Sequence, residues 1–346
     1  MTKSSFLFGA AALALAIAGC GDSAKSDAGT TAGTASTSAP AGGDAKIGGA
    51  VAIDGSSTVQ PISEAMAEEF GKENSGAKVT VAASGTGGGF KKFAAGEIDI
   101  AGASRPIEKE EEESCKKNGI DYIEVPIAFD GLSVVLNPRN TWAEDLTVDE
   151  LKKIWEPTSK VNNWSQVRPG FPNKPIKLYG AGTASGTFDY FTKAIVGTEK
   201  SSRADYQASE DDNVLVQGVA GDEGALGYFG FAYYQENQDK LKLAKVNGIA
   251  PDATTIADGT YQPLSRPLFY YVNLKSLNDK PAVGAYLKFV LAQAKELIPT
   301  TGYVPLPEEA YTLGQARIDG KKTGTLFQGA QTGIKIQDVM KKEGGA

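Results

Sequence analysis

From residue 48 onward, apolar runs of strand length alternate with stretches whose apolar residues recur at helical spacing. Segment 48–55, GGAVAIDG, reads as a strand that ends at glycine. Segment 61–74 reads as a helix: Pro61 stands near its start, Ile62, Met66 and Phe70 share one face, and Gly71 lies near its end. The alternation continues with a strand over 77–84, a short helix over 88–97, a strand over 98–104 and a charged helix over 106–119. The continuous apolar run 123–138 predicts a buried central strand. Beyond it lie a helix over 148–157, a strand over 174–180, a helix over 187–197 and a helix over 213–221. Segment 224–237 is strand-like and aromatic, 265–273 reads as a second buried strand, and 282–299 as a long amphipathic helix. Repeated strand–loop–helix units predict α/β architecture with mainly parallel sheets, whose ligands collect beyond the C-terminal ends of strands.

The first 46 residues follow another pattern. Lys3 precedes an apolar run, Phe6 to Ala18, which suits a secretory signal and is short for a bilayer span. It ends in Ile17-Ala18-Gly19-Cys20, which resembles a bacterial lipobox, so 1–19 reads as a lipoprotein signal peptide with Cys20 the lipidated first residue. Residues 20–46 are almost all small and polar and read as a flexible tether. Anchor and tether together place the folded part near a membrane surface, outside the cytoplasm.

Composition narrows the chemistry. The formal net charge of −7 argues against nucleic acid as a partner and requires any anion to be attracted locally. The chain contains no histidine, which excludes a Ser-His-Asp triad, a Cys-His pair and any His-ligated metal. With Cys20 lipidated, Cys115 has no disulfide partner and reads as an ordinary helical thiol. The acidic run around it, PIEKEEEESCKKNG, reads as a solvated helix face rather than a calcium site. No cofactor, metal or catalytic residue is expected.

Three clusters of Ser, Thr and Gly each follow a strand and precede a helix: Gly55-Ser56-Ser57-Thr58, Ser84-Gly85-Thr86-Gly87-Gly88-Gly89 and Thr183-Ala184-Ser185-Gly186-Thr187. Each combines short hydroxyl donors with glycines that admit close backbone approach, where amides point out of a helix start. A single such loop is explained by N-capping; three in one chain point to an oxyanion site. SGTGGGFKK lacks the spacing of a phosphate-binding P-loop, and GAGTASG departs from the dinucleotide fingerprint by one residue.

These stretches, with DGSSTVQPIS, FDGLSVVLN, LYGAGTASGTFDYFTKAI, SEDDNVLVQGVAGDEGALGYFGFAYY and SRPLFYYVN, resemble the PstS-type phosphate-binding proteins of bacterial phosphate ABC importers. The resemblance is closer to the branch that includes the cyanobacterial SphX proteins, and it runs from about Gly48 to at least Tyr303. It implies a two-lobed periplasmic-binding-protein fold of type II, hinged by two crossing strands at 125–136 and 265–273. Lobe one would be 47–129 plus 266–346, and lobe two 130–265. It further implies a binding protein, not an enzyme, that takes inorganic phosphate between the lobes and delivers it to a membrane permease. A monomer is expected.

Carried over by position, Ser57 and Thr58, Thr86, Ser104, and Ser185, Gly186 and Thr187 match the family's anion contacts. Two positions depart from the best-known branch. An Asp that follows the third loop's Ser104 is here Arg105, and an Arg four residues before Ser185 is here Ala181. Arg105 is therefore the candidate cation, with a salt bridge as its alternative role. Loss of the Asp bears on ligand choice, because protonated phosphate needs an acceptor and sulfate does not. Asp54, Asp130 and Asp189 all stand near enough to substitute. Sulfate or molybdate binding, a phosphatase and a surface adhesin are the competing readings.

Overall fold

A computed structural model describes residues 47–327. The predicted signal peptide, Cys20 and the tether lie outside the described residues. β1 (Gly48–Gly55) leads into α1 (Gln60–Glu73), β2 (Gly76–Val81) into α2 (Thr86–Ala94), and β3 (Ile100–Ala103) into α3 (Lys109–Lys117). β4 (Tyr122–Leu136) is buried along its whole length. It is followed by β5 (Asp145–Leu146), α4 (Val148–Trp155), β6 (Lys177–Ala181), α5 (Gly186–Phe191), β7 (Gln207–Ser209), α6 (Asp212–Gly221) and β8 (Ala225–Gly230). Next come α7 (Phe231–Glu236), β9 (Lys242–Leu243), β10 (Lys245–Val246), α8 (Ala253–Ala257) and β11 (Ser265–Asn273). α9 (Leu274–Asp279), α10 (Pro281–Leu297), β12 (Val304–Pro305) and α11 (Glu308–Asp319) complete the order.

The main sheet runs β2-β1-β3-β11-β4-β8-β6-β7. Within each half the pairs are parallel: β1 with β2 and β3, β6 with β7 and β8. The expectation of mainly parallel sheets holds only there. Between the halves β11 runs antiparallel to β3 and β4, and β4 antiparallel to β8. The chain crosses from one half to the other along β4 and returns along β11, so these two strands must oppose. Both are apolar runs, as buried central strands require, yet both contain proline, which cannot donate to a ladder. The pairing slips between Leu268 and Phe269, where Phe269 meets Pro126 and Pro267 meets Phe129. The irregularity thus sits where the ladder lacks donors.

The helix expected over 187–197 is divided: α5 continues as a π-helix over Thr192–Val196. Buried Thr192 explains the change. Its Oγ1 lies 2.8 Å from the Phe188 carbonyl and 3.1 Å from that of Asp189, and accepts from the Lys200 amide at 2.8 Å. A hydroxyl competing for helix carbonyls loosens the ladder at that turn. Cys115 is buried and unpaired, its thiol pushed up to about 11 by burial and the nearby Glu111 and Glu112.

Glu124 on β4, fully buried, ties the end of the described chain to the sheet. It accepts from the Tyr271 hydroxyl at 2.6 Å, the Leu326 amide at 2.7 Å and the Thr325 hydroxyl. Burial raises the Glu124 carboxyl pKa, and these donors, with Arg317, pull against that shift. Tyr271 in turn accepts from the Ile107 amide at 2.8 Å, just beyond the third loop of the first half. Glu124→Ala strands these donors and is expected to cost about 3 kcal/mol or more. Denaturant unfolding measures it, and a loss under about 1 kcal/mol would show that water replaces the carboxylate.

Candidate anion-binding site

The three Ser/Thr/Gly loops stand where the sequence places them, at the C-terminal ends of β1, β2 and β6 and before α1, α2 and α5. Loop one is held by backbone contact. Gly55 has φ +145°, and a Cβ there would lie 2.1 Å from the Gly102 carbonyl oxygen. Next to it, the Ser56 amide donates to that carbonyl at 2.9 Å. Only glycine meets both conditions.

Loops one and two are joined through Asp54. Its Oδ1 accepts from the Gly55 amide at 2.7 Å, the Ser84 amide at 2.9 Å and the Ser84 hydroxyl at 2.8 Å, while Oδ2 pairs with Lys92. Burial alone would raise the Asp54 carboxyl, but Lys92, Ser84 and Gly55 outweigh it and hold the group below its usual range. Loop two is joined to β3 by Thr86, whose Oγ1 lies 3.1 Å from Ser104 Oγ and accepts from the Ser104 amide at 3.3 Å.

Loop three closes from the other half of the sheet. Ser185 caps α5, its Oγ accepting from the Thr187 amide at 3.1 Å. Gly186 faces loop one so closely that a Cβ would lie 2.3 Å from Thr58 Oγ1 and 3.0 Å from Ser57 Oγ. The loops border a cavity of about 710 Å³ lined by Ser57, Thr58, Thr86, Ser104, Arg105 and Gly186 among others. Six of the eight residues expected from sequence therefore share one cavity. Ser185 and Thr187 flank Gly186 without lining it.

The charged groups divide differently from the sequence expectation. Arg105 lines the cavity, but its Nη1 and Nη2 each lie 2.8 Å from a carboxylate oxygen of Glu111, and its Nε lies 3.3 Å from Glu108. Ala181 ends β6 as a buried residue whose carbonyl accepts from Tyr206 at 2.9 Å. Sequence reading missed three cations that also line the cavity, the exposed Lys193 and Lys200 and, on β11, the largely buried Arg266. It pairs with Asp130 Oδ2 through Nε at 3.2 Å and Nη2 at 3.1 Å, and lies 3.8 Å from the Tyr190 ring centroid. Its signal was weak: one Arg in an apolar strand, with its partner 136 positions away.

Of the three acidic candidates, Asp54 is occupied by Lys92, Ser84 and Gly55. Asp130 is fully buried, and burial raises its carboxyl even against the pull of Arg266. Asp189 alone of the three lines the cavity. Its Oδ2 is 3.5 Å from Lys200, its buried Oδ1 has no hydrogen-bond partner, and burial raises its carboxyl against the opposing pull of Lys200. Among the described residues no group of acidic or sulfur side chains could hold a metal ion, and no helix is long and apolar enough to cross a membrane.

Residues 28–294 match the PBP superfamily domain. Protein SphX of Synechococcus elongatus is 51% identical over 302 residues, covering 85% of this chain and 89% of that protein. The chain belongs to the SphX and PstS family of that superfamily. The phosphate-binding protein PstS of Staphylococcus saprophyticus is 40% identical over 288 residues, covering 80% of this chain and 88% of its own. The crystal structure of a possible phosphate binding protein from Planctomyces limnophilus superposes with a TM-score of 0.74 at 51% identity, covering 80% of this chain and 99% of that one. The chain thus has the two-lobed type II periplasmic-binding fold of this family, with β4 and β11 crossing between its halves.

Two outcomes test this geometry. Gly186→Ala is expected to weaken anion binding by about tenfold or more, because its methyl group would hold loops one and three apart. Titration calorimetry reads the affinity, and a thermal midpoint close to the parent's, expected because the half-buried Gly186 meets side chains across the cleft, distinguishes blocked closure from misfolding. Asp54 supplies a pH test. Its folded pKa lies below the unfolded value of about 3.8, so its stabilisation is present above that pH and lost as pH falls through the folded value. Asp54→Asn should therefore be less stable than the parent at pH 7, with the difference closing as the pH falls below about 3.8 and through the folded value in a circular-dichroism acid titration.

Proposed function

We propose that this chain captures inorganic phosphate outside the cytoplasm and hands it to the membrane permease of an ABC importer. The observation that carries the reading is the convergence of three hydroxyl-and-glycine loops, from both halves of one sheet, on a single cavity. An anion there meets hydroxyls of Ser57, Thr58, Thr86 and Ser104, and the backbone of Gly186 at the start of α5. Within each half, neutral donors fixed at strand ends and helix starts are already oriented toward the ion. Lobe one is taken as 47–129 with 266–346 and lobe two as 130–265, so the crossings change lobe at Asp130 and Arg266, which are register partners. Closure about them is a population shift driven by an anion that touches both sides.

Asp189 is the acceptor this cleft offers to the proton that phosphate carries and sulfate lacks. The lipobox-like Cys20 and the tether support a monomer anchored to a membrane by lipid. The reading requires no bond to be made or broken, in keeping with relatives named as binding proteins.

Titration of the purified chain with phosphate at pH 7, repeated with millimolar sulfate or molybdate present, tests the assignment. Phosphate is expected to bind with little competition. Displacement by sulfate as readily as by unlabelled phosphate would transfer the site to another oxyanion. Asp189→Asn is expected to reduce the preference for phosphate over sulfate by about tenfold, since the amide can donate where the carboxylate could only accept.

A further inference from the structure

A site that closes on an anion with a formal charge needs a partner for that charge; the exposed Lys193 and Lys200 line this cleft, and so do two less exposed arginines, whose planar forks suit a tetrahedral anion. Arg105 is committed. Both of its terminal nitrogens are bonded to Glu111, Nη1 also donates to the Pro106 carbonyl at 3.1 Å, and Nε faces Glu108. All of these partners lie on the same short stretch of chain, so its charge is neutralised locally and its planar fork is filled.

Arg266 is placed otherwise. Its side chain is only 12% exposed, and it bonds to Asp130 on the neighbouring crossing strand through Nε and Nη2. Both bonds go to one carboxylate oxygen, Oδ2, and among the described residues Nη1 has no hydrogen bond. Nη2 also reaches Thr58 Oγ1 at 3.1 Å and the Gly186 carbonyl at 3.4 Å. Tyr190, one turn past Gly186, supports the guanidinium from beneath at 3.8 Å and is itself fixed by its hydroxyl's bond to the Pro263 carbonyl at 2.7 Å. One side chain on a crossing strand thus touches loop one, loop three and the opposite crossing strand.

We propose that Arg266, held by Asp130 and Tyr190, is the cation that grips the anion and the residue through which the anion's arrival closes the two lobes. The inference rests on the reading that this cleft takes a tetrahedral oxyanion. A guanidinium already oriented by a carboxylate and a ring loses little freedom when it binds, and its fork matches two oxygens of such an anion. Because the same group contacts Thr58 and Gly186, an anion bonded to it is in reach of both loops only when they are together. Ala181 then needs no arginine: the charge is supplied from the hinge rather than from the wall of lobe two.

The test uses the full chain, inorganic phosphate and four proteins: the parent, Arg266→Gln, Arg105→Ala, and the double variant Asp130→Asn with Arg266→Gln. The double variant removes the buried pair without stranding a charge, and its thermal midpoint and circular dichroism check that it folds. Calorimetry is expected to show affinity reduced on the order of 100-fold in both Arg266→Gln proteins and by far less in Arg105→Ala. Small-angle scattering at saturating phosphate is expected to show contraction in the parent and none in the folded double variant. The proposal is overturned if the double variant binds within about threefold of the parent, if it contracts as the parent does, or if Arg105→Ala loses as much affinity as Arg266→Gln. A parent that binds no tetrahedral oxyanion would instead sink the reading of the cleft, and this inference with it.

Discussion

The antiparallel ladder between β4 and β11 is the constraint on which the rest of the structure depends. Among the described residues it is where the sheet joins its two parallel halves, and its register puts Asp130 opposite Arg266. A carboxylate and a guanidinium in so buried a position are each costly alone, so neither is tolerated without the other. The ladder therefore has two tasks that conflict. It must be continuous enough to carry the core across the molecule, and it must be weak enough in donors to flex. The prolines at 126 and 267 and the slip between Leu268 and Phe269 reconcile them: hydrogen bonds are missing at one level of the strands while the apolar side chains still pack.

Much of this was legible in the sequence because it is encoded locally. The strands 48–55 and 265–273 match their predicted bounds residue for residue, and the helix predicted at 61–74 is displaced by one. These segments carry uninterrupted periodicity with glycine, proline or a change of polarity at their ends. The three loops were legible for the same reason, since a Ser/Thr/Gly cluster between a strand and a helix is a short-range pattern. What was not legible depends on long-range pairing. The two-residue strands β5, β9, β10 and β12 have no period of their own and exist only because a neighbour supplies the ladder. The antiparallel crossings cannot be read from repeated strand–loop–helix units, because direction is set by the path between lobes. The π-turn at 192–196 follows from one hydroxyl, Thr192, that is buried by tertiary packing.

The charged residues show the same division most clearly. Arg105 looked like a ligand because it follows Ser104 in a loop of the site, and it does line the cavity. What sequence could not weigh was Glu111, six residues on, brought back by the capping of α3 so that one carboxylate bonds both Arg105 and the Glu108 amide. Arg266 looked like an isolated charge in a core strand, and only its register with Asp130 makes that position intelligible. The three acidic residues were similarly indistinguishable by position. Hydrogen-bond saturation separates them: Asp54 is filled by Lys92 and by backbone and side-chain donors, Asp130 by a guanidinium, and Asp189 keeps a buried oxygen without a partner.

An acidic chain with an anion cleft is not a contradiction once distances are considered. At physiological ionic strength the field of surface carboxylates is screened within about 8 Å, so the net charge of −7 acts weakly on an ion already between the lobes. What lines the cleft is a set of hydroxyls and helix-start dipoles fixed by the sheet, together with cations of which Arg105 is paired with Glu111 and Arg266 with Asp130. Such a site discriminates by how many donors and acceptors can be satisfied at once, because each group left unpaired in a closed cleft loses its hydration without compensation. Overall charge then governs encounter and solubility. The approach of loop three to loop one depends in turn on Gly186, where a side chain would meet Thr58.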